Sequence, residues 1–305
     1  MVIREATIND KVHIAEIWRS CFTDDENYIE LYLNHCLPHT NTWILGGEDG
    51  RFYSCISVLP SYFIKDGRKT TGGYLYGVGT LPGHRGKSYS SILIDVAVRD
   101  LKETGHSYFL VKPATEGLFS LYSRLGFDQQ LFKTTISKDF SGIESNYLIR
   151  NSKILGKAEK LTATELLKFR EDELSSSRFM WPLSIVKYIL EETQYRNGVS
   201  LVFEKKAIGC NLKKLYFVGY PDDSDLSGNT FKILETNASS SDDIEDIYSV
   251  LRNNGRKESF IKADFPGFGI ENITNSGKEK SALFMELKDG ISGSFETLHL
   301  SLPLE

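Results

Sequence analysis

No run of about 18 consecutive apolar residues occurs anywhere in the 305-residue chain, which excludes a membrane-spanning helix on hydropathy grounds. Charge begins at Arg4 and no apolar signal core precedes it, so the sequence reads as a cytoplasmic protein with no membrane partner. There is no CxxC pair. The four cysteines, Cys21, Cys36, Cys55 and Cys210, are scattered, which suits a reducing compartment and argues against a disulfide framework or a metal site. They read as small apolar packing residues. No long Lys/Arg block is present and the net charge is −5, so no polyanion-binding stripe can form and nucleic acid is not an expected partner. No fixed-period repeat is visible.

What is present is enough apolar material for real cores. The chain is 40% apolar and 25% charged, as ordinary globular proteins are. At 305 residues it exceeds the roughly 100–200 residues of one domain. The polar stretch Lys138 to Lys157 marks the division, giving a first domain at 1–140, a linker at 141–157 and a second domain at 158–305.

The patterning predicts a mixed α/β (α+β) fold. Val2 to Ala6 reads as a strand, and Val12, Ile14, Ile17, Trp18 and Cys21 recur at helical spacing. Tyr28 to Cys36 reads as a second helix. Thr42 to Gly46, Phe52 to Leu59 and Tyr62 to Lys65 read as meandering antiparallel strands, broken by Gly, Asp and Pro. Gly73 to Leu81 is a further strand, with glycines at 73, 77 and 79 that signal a bulge or a close backbone approach. A helix from Ser90 to Thr104, a strand at Tyr108 to Val111, a helix from Thr115 to Leu125 and a strand to Ile136 follow.

Two segments carry chemistry. Between the glycine-bearing strand and the next helix lie Arg85-Gly86-Lys87-Ser88-Tyr89-Ser90. The first N–H groups of a helix lack intrahelical partners and carry partial positive charge, so a tight basic loop at that point suits a phosphate. Further on, Tyr122 stands one helical turn before Gly126-Phe127. A tyrosine hydroxyl, with its pKa of about 10, can protonate a leaving thiolate.

In this order, these segments resemble the GNAT N-acetyltransferase superfamily. Its phosphate loop reads Arg or Gln, x, x, Gly, x, Gly or Ala, and Arg85 to Ser90 fill those places with Ser88 and Ser90 at the two glycine positions. The Tyr-x-x-x-Gly-Phe ending is met by Tyr122, Gly126 and Phe127. Thr115 to Phe127 looks particularly like the multidomain enhanced-intracellular-survival type.

The resemblance implies a mostly antiparallel sheet flanked by helices, with acetyl-CoA as co-substrate and a primary amine as acceptor. It implies that Val78 and Thr80 face the thioester and pantetheine arm, and that Arg85, Gly86, Lys87, Ser88, Tyr89 and Ser90 hold the pyrophosphate. Tyr122 is then the acid and the N–H near Val78 the oxyanion donor. Serine at both glycine places narrows the approach and disfavours a positive φ.

Four candidates remain open for the base: Glu26, Asp24, His84 and, from the survival-type resemblance, the carboxylate of Glu305. The second half lacks a basic loop before a helix, so a degenerate GNAT-like domain that shapes the acceptor cleft is expected there. Trp181, Tyr188 and Tyr195 are possible cleft residues. A non-catalytic acyl-CoA-binding protein is the alternative reading. The oligomeric state is open, a homodimer included.

Overall fold

The computed structural model describes residues 1–65, 67–142, 154–174, 178–206, 212–266, 275–288 and 300. The first half runs β1 (Val2–Glu5), α1 (Lys11–Cys21), α2 (Glu26–Leu31), β2 (Asn41–Gly46), β3 (Phe52–Lys65) and β4 (Arg68–Thr80). It continues with α3 (Tyr89–Glu103), β5 (Tyr108–Val111), α4 (Glu116–Arg124) and β6 (Gln129–Asp139). The second half runs β7 (Ile154–Lys160), α5 (Ala163–Phe169), α6 (Leu183–Tyr195), β8 (Val199–Lys206), β9 (Leu212–Pro221), β10 (Thr230–Thr236), α7 (Ser241–Asn253), β11 (Phe260–Pro266) and β12 (Asn275–Glu286).

All the strands form one 12-stranded sheet in the order β1-β2-β3-β4-β5-β12-β6-β11-β10-β9-β8-β7. The pairs β4–β5 and β10–β11 are parallel, and every other pair is antiparallel. Each half is thus an antiparallel meander, a crossover helix (α3 or α7) and a parallel strand. The closing strand of each half comes from the other: β12 pairs with β5, and β6 pairs with β11. β12 thus closes the first half, although it follows the second half in sequence.

Three local differences from the sequence pattern have physical reasons. β3 is one strand through Pro60 rather than two. β2 pairs only as far as Val58, and Tyr62 exchanges backbone hydrogen bonds with Met180 on that same side. The Pro60 nitrogen therefore faces the gap between them, where no donor is needed. β7 begins at Ile154, inside the segment 141–157 expected as linker, and as an edge strand rich in Lys, Gly and Ala it lacks strand patterning. β10 has no clean strand alternation, because Thr230–Thr236 places Ile233 and Leu234 in sequence at a bulge.

Burial follows the two faces. α1, α2 and α6 cover one face, around Trp18, Tyr32, Tyr74 and Trp181. On the other, α3 presents Leu93, Ile94, Ala97 and Leu101 to Val58, Leu75 and Phe109. α7 buries Ile244, Ile247, Val250 and Leu251 against the second half.

Candidate active site

β5 pairs with only Gly72 to Leu75 of β4, while β4 runs on to Thr80. β5 ends at Val111, so the parallel pairing stops at Leu75. The same stretch of β4 is bulged: Gly79 pairs with Cys55 and Tyr76 with Ser57, so Gly77 and Val78 stand opposite Ile56 alone. Gly77 has φ +57 and lies against the Trp18 indole, which is why this position takes glycine.

The bulge turns its neighbours to opposite faces. Tyr76 packs with Trp18 and Tyr32 toward α1 and α2, whereas Val78 joins Tyr122, Ile92 and Phe119 on the α3 face. Thr80 is largely committed already. Its carbonyl accepts from Arg85 Nε and Cys21 Sγ, each at 3.2 Å, and its hydroxyl bonds Ser54 Oγ at 2.9 Å.

From Thr80 the chain turns through Pro82–His84, where the His84 ring stacks on Tyr53 at 3.9 Å, and reaches α3 through an exposed loop, Arg85 to Ser88. Gly86 and Ser88 both adopt left-handed backbone, at φ +76 and +58. The positive φ disfavoured for a side chain is therefore used at Ser88, at a cost of about 1–2 kcal/mol. Ser90 lies inside α3 and carries no such strain. No side chain caps this helix and its first turn holds no acid, so its leading N–H groups face the loop with nothing of opposite charge against them.

Tyr122 on α4 is buried, with its ring edge-on to Phe127 at 5.8 Å. Burial alone pushes its phenol up to about 12, so it stays protonated across the neutral range, as an acid must. The Gly126-Phe127 pair has a local cause: Gly126 takes φ +94 to end α4, and the N–H groups of Leu125 and Phe127 both donate to Tyr122 O.

The corresponding place in the second half is closed. Ser240 caps α7 by accepting from Asp243 N, and Asp242 and Asp243 occupy its first turn. Asp243 itself accepts from Ser239 N, Lys205 and Lys213, each at 2.8 Å. β10 bulges between Ile233 and Glu235, where β4 has its own bulge. There the Glu235 carboxylate is engaged by Arg170, by Arg178 at 3.2 Å and by the Tyr216 hydroxyl at 3.1 Å. Charged side chains thus occupy the helix start and the bulge of the second half, whereas the start of α3 carries neither a cap nor an acid.

Of the four candidate bases, Glu26 is exposed and held by Arg19 through two hydrogen bonds, at 2.5 and 2.8 Å, which lower its pKa. Asp24 is half-buried and desolvation raises it, with Arg196 opposing. His84 is stacked on Tyr53, with the Tyr89 ring centre 6.2 Å away. Glu305 lies outside the described residues, as does Cys210. Trp181 is core, edge-on to Tyr74, and Tyr195 bonds Asp25 at the surface. Tyr188, in contrast, belongs to a buried polar group that sequence reasoning missed: Tyr28, Tyr76, Glu192 and Arg196, joined across α2, β4 and α6. The available signal was the i, i+4, i+8 spacing of Tyr188, Glu192 and Arg196, which puts them on one helical face.

The acetyltransferase (GNAT) domain family matches residues 2–129. Among solved structures, a probable N-acyltransferase from Enterococcus faecalis superposes with TM-score 0.69 at 12% identity, covering 94% of this chain and 72% of that one. A GCN5-related N-acetyltransferase from Anabaena variabilis gives TM-score 0.67 at 13% identity, with 94% and 73% covered. Eis1 from Mycobacterium abscessus gives 0.59 at 11%, with 94% and 74% covered. No curated protein matches the sequence significantly. By class, residues 2–129 form an acetyltransferase (GNAT) domain, and the bulged β4 and the uncapped start of α3 lie within it. The fold across both halves resembles those of GCN5-related N-acetyltransferases, Eis1 among them. No helix among the described residues is long and apolar enough to cross a membrane.

Proposed function

We propose that the protein transfers an acetyl group from acetyl-CoA to a primary amine by direct attack. The observation that carries this reading is the contrast between the two crossover helices. The N-terminus of α3 is uncapped, free of acids and preceded by a basic loop, whereas that of α7 is filled by Ser240, Asp242 and Asp243. Only the first can accept a pyrophosphate without expelling a carboxylate.

In this reading the N–H groups from Gly86 to Ser90 hold the pyrophosphate, with Arg85 and Lys87 adding charge, and the pantetheine arm lies along β4 past Leu75, where the parallel pairing ends. The bulge at Val78 supplies the oxyanion donor, and Tyr122 protonates the departing thiolate. Residues 1–140 bind the donor. The half from 158 onward is a degenerate GNAT-like unit that walls the acceptor side and binds no second acetyl-CoA.

Calorimetry with acetyl-CoA, followed by a thiol-release assay over a panel of amines, tests this. One binding event per chain and amine-dependent release of CoA are expected. No heat and no shift in Tm at millimolar acetyl-CoA would overturn it, and binding without release to any amine would leave a non-catalytic acyl-CoA-binding protein.

A further inference from the structure

The Tyr28 hydroxyl is the meeting point of three polar groups. It lies 3.1 Å from Glu192 Oε1, 2.9 Å from the Tyr76 hydroxyl and 3.4 Å from the Tyr188 hydroxyl. A phenol has one hydrogen to donate, and an ionised carboxylate can only accept. The Tyr28 hydrogen is committed to Glu192, so Tyr76 supplies the hydrogen of the Tyr76–Tyr28 bond, and Tyr188 likewise donates to Tyr28. The chain is therefore polarised from Tyr76 through Tyr28 to Glu192. Tyr76 begins the chain, and its oxygen keeps lone pairs that can accept from a further donor. Tyr76 immediately precedes the Gly77–Val78 bulge, just past the end of the β4–β5 pairing.

The far end is built to hold a negative charge. Glu192 is buried and accepts from Arg196 Nε at 3.2 Å, and the Arg196 guanidinium lies 5.4 Å from the Tyr28 and Tyr220 ring centres. The groups facing the carboxylate are Tyr28 on α2, Tyr76 on β4, Tyr188 and Arg196 along α6, and the Cys36 thiol at the end of the turn after α2. Burial raises the phenols of both Tyr28 and Tyr76, so both hydrogens are in place at neutral pH.

We infer that Tyr76, Tyr28 and Glu192 form the relay that removes the proton from the acceptor amine, with Glu192 of the second half as its terminal acceptor. This rests on the acetyltransferase reading above. The amine nitrogen bonds to the thioester carbonyl carbon. One N–H proton passes to the Tyr76 oxygen as the Tyr76 proton moves to Tyr28 and the Tyr28 proton to Glu192 Oε1, leaving a neutral carboxyl. The C–S bond breaks, and the thiolate takes its proton from Tyr122. Glu192 and Tyr122 then re-equilibrate with solvent. The second half thus completes a reaction whose donor the first half binds. Neither half alone holds both the donor loop and the proton acceptor.

The test compares wild type with Tyr28→Phe and Glu192→Gln, using ethylamine and 2,2,2-trifluoroethylamine as acceptors. A weakly basic amine gives an acidic N–H in the adduct and needs little help to lose it. For ethylamine each variant should lose about 10²-fold or more in kcat/KM, and for trifluoroethylamine much less, with an unchanged Tm shift from acetyl-CoA. Equal losses for the two amines would reduce the network to a structural tie and overturn the relay. Independently of turnover, the infrared difference spectrum between wild type and Glu192→Gln should show an ionised carboxylate at neutral pH. A protonated carboxyl there would overturn the direction of the chain. A wild type that binds acetyl-CoA but acetylates neither amine would be a failure of the acetyltransferase reading, and the infrared band alone then decides the relay.

Discussion

The indole of Trp18 occupies the space that a β-carbon on Gly77 would need: such a carbon would lie 2.8 Å from Trp18 Cζ2. Trp18 cannot withdraw easily, because it is buried and stacked on Tyr32 at 4.0 Å. The bulge that divides β4 between its two faces therefore depends on a residue of α1.

Gly77→Ala should be strongly destabilising. The left-handed φ of +57 costs about 1–2 kcal/mol for a residue with a β-carbon, and overpacking against Trp18 adds about 1–3 kcal/mol. Urea unfolding should show a total loss of about 2–5 kcal/mol. A loss below about 1 kcal/mol would mean that the bulge relaxes freely.

The two serines of the loop should respond in opposite directions. Ser88→Gly relieves the strain at φ +58 and should stabilise the fold by about 0.5–1 kcal/mol after the entropy of the added glycine is counted. Ser90→Gly places glycine in the first turns of α3 and should cost about 0.5 kcal/mol. Chemical denaturation of both variants checks this. Equal signs would place the strain elsewhere.

Tyr122→Phe keeps the ring against Phe127 and removes only the hydroxyl. Acetyl-CoA affinity should stay near that of wild type while kcat falls by about 10²-fold, within the usual range for a lost general acid. An undiminished kcat would leave Tyr122 a packing residue.

The donor loop and the acid helix can also be told apart. Arg85→Ala should weaken acetyl-CoA binding in calorimetry, because Arg85 closes the turn onto the Thr80 carbonyl beside the open end of α3. Arg124→Ala, at the far end of α4, should change it little. Equal effects would place the phosphate site elsewhere.

Acid should weaken the start of the fold through Asp10. The Arg4 guanidinium, at 2.7 and 2.8 Å, holds its carboxyl far below the usual range, helped by Thr7. A depressed folded pKa means that the stabilisation is fully present above the unfolded value of about 4 and is lost as pH falls below it. The stability gap between wild type and Asp10→Asn should be constant from pH 7 to 5 and shrink on further acidification. A constant gap down to pH 2 would contradict this.

The backbone features of the proposed donor side were legible in the sequence because their determinants are local. Glycines at 73, 77 and 79, the basic loop and the Tyr122 to Phe127 helix exit are decided by φ, by helix ends and by contacts within a few residues. The segment Tyr108–Val111 was bounded correctly for the same reason, as a short apolar run between turns. The acceptor side depends on distance along the chain. Tyr28 and Glu192 are 164 positions apart, and neither stands out in its own helix. The exchange of β6 and β12 decides which half each strand closes, and alternation alone is the same in either place. Backbone preference and helix-end chemistry thus determined from sequence where the basic loop meets α3. Only the packing of α6 against α2 and β4 could set a carboxylate at the end of a hydrogen-bonded chain, because burial and hydrogen-bond direction exist only once the two halves meet.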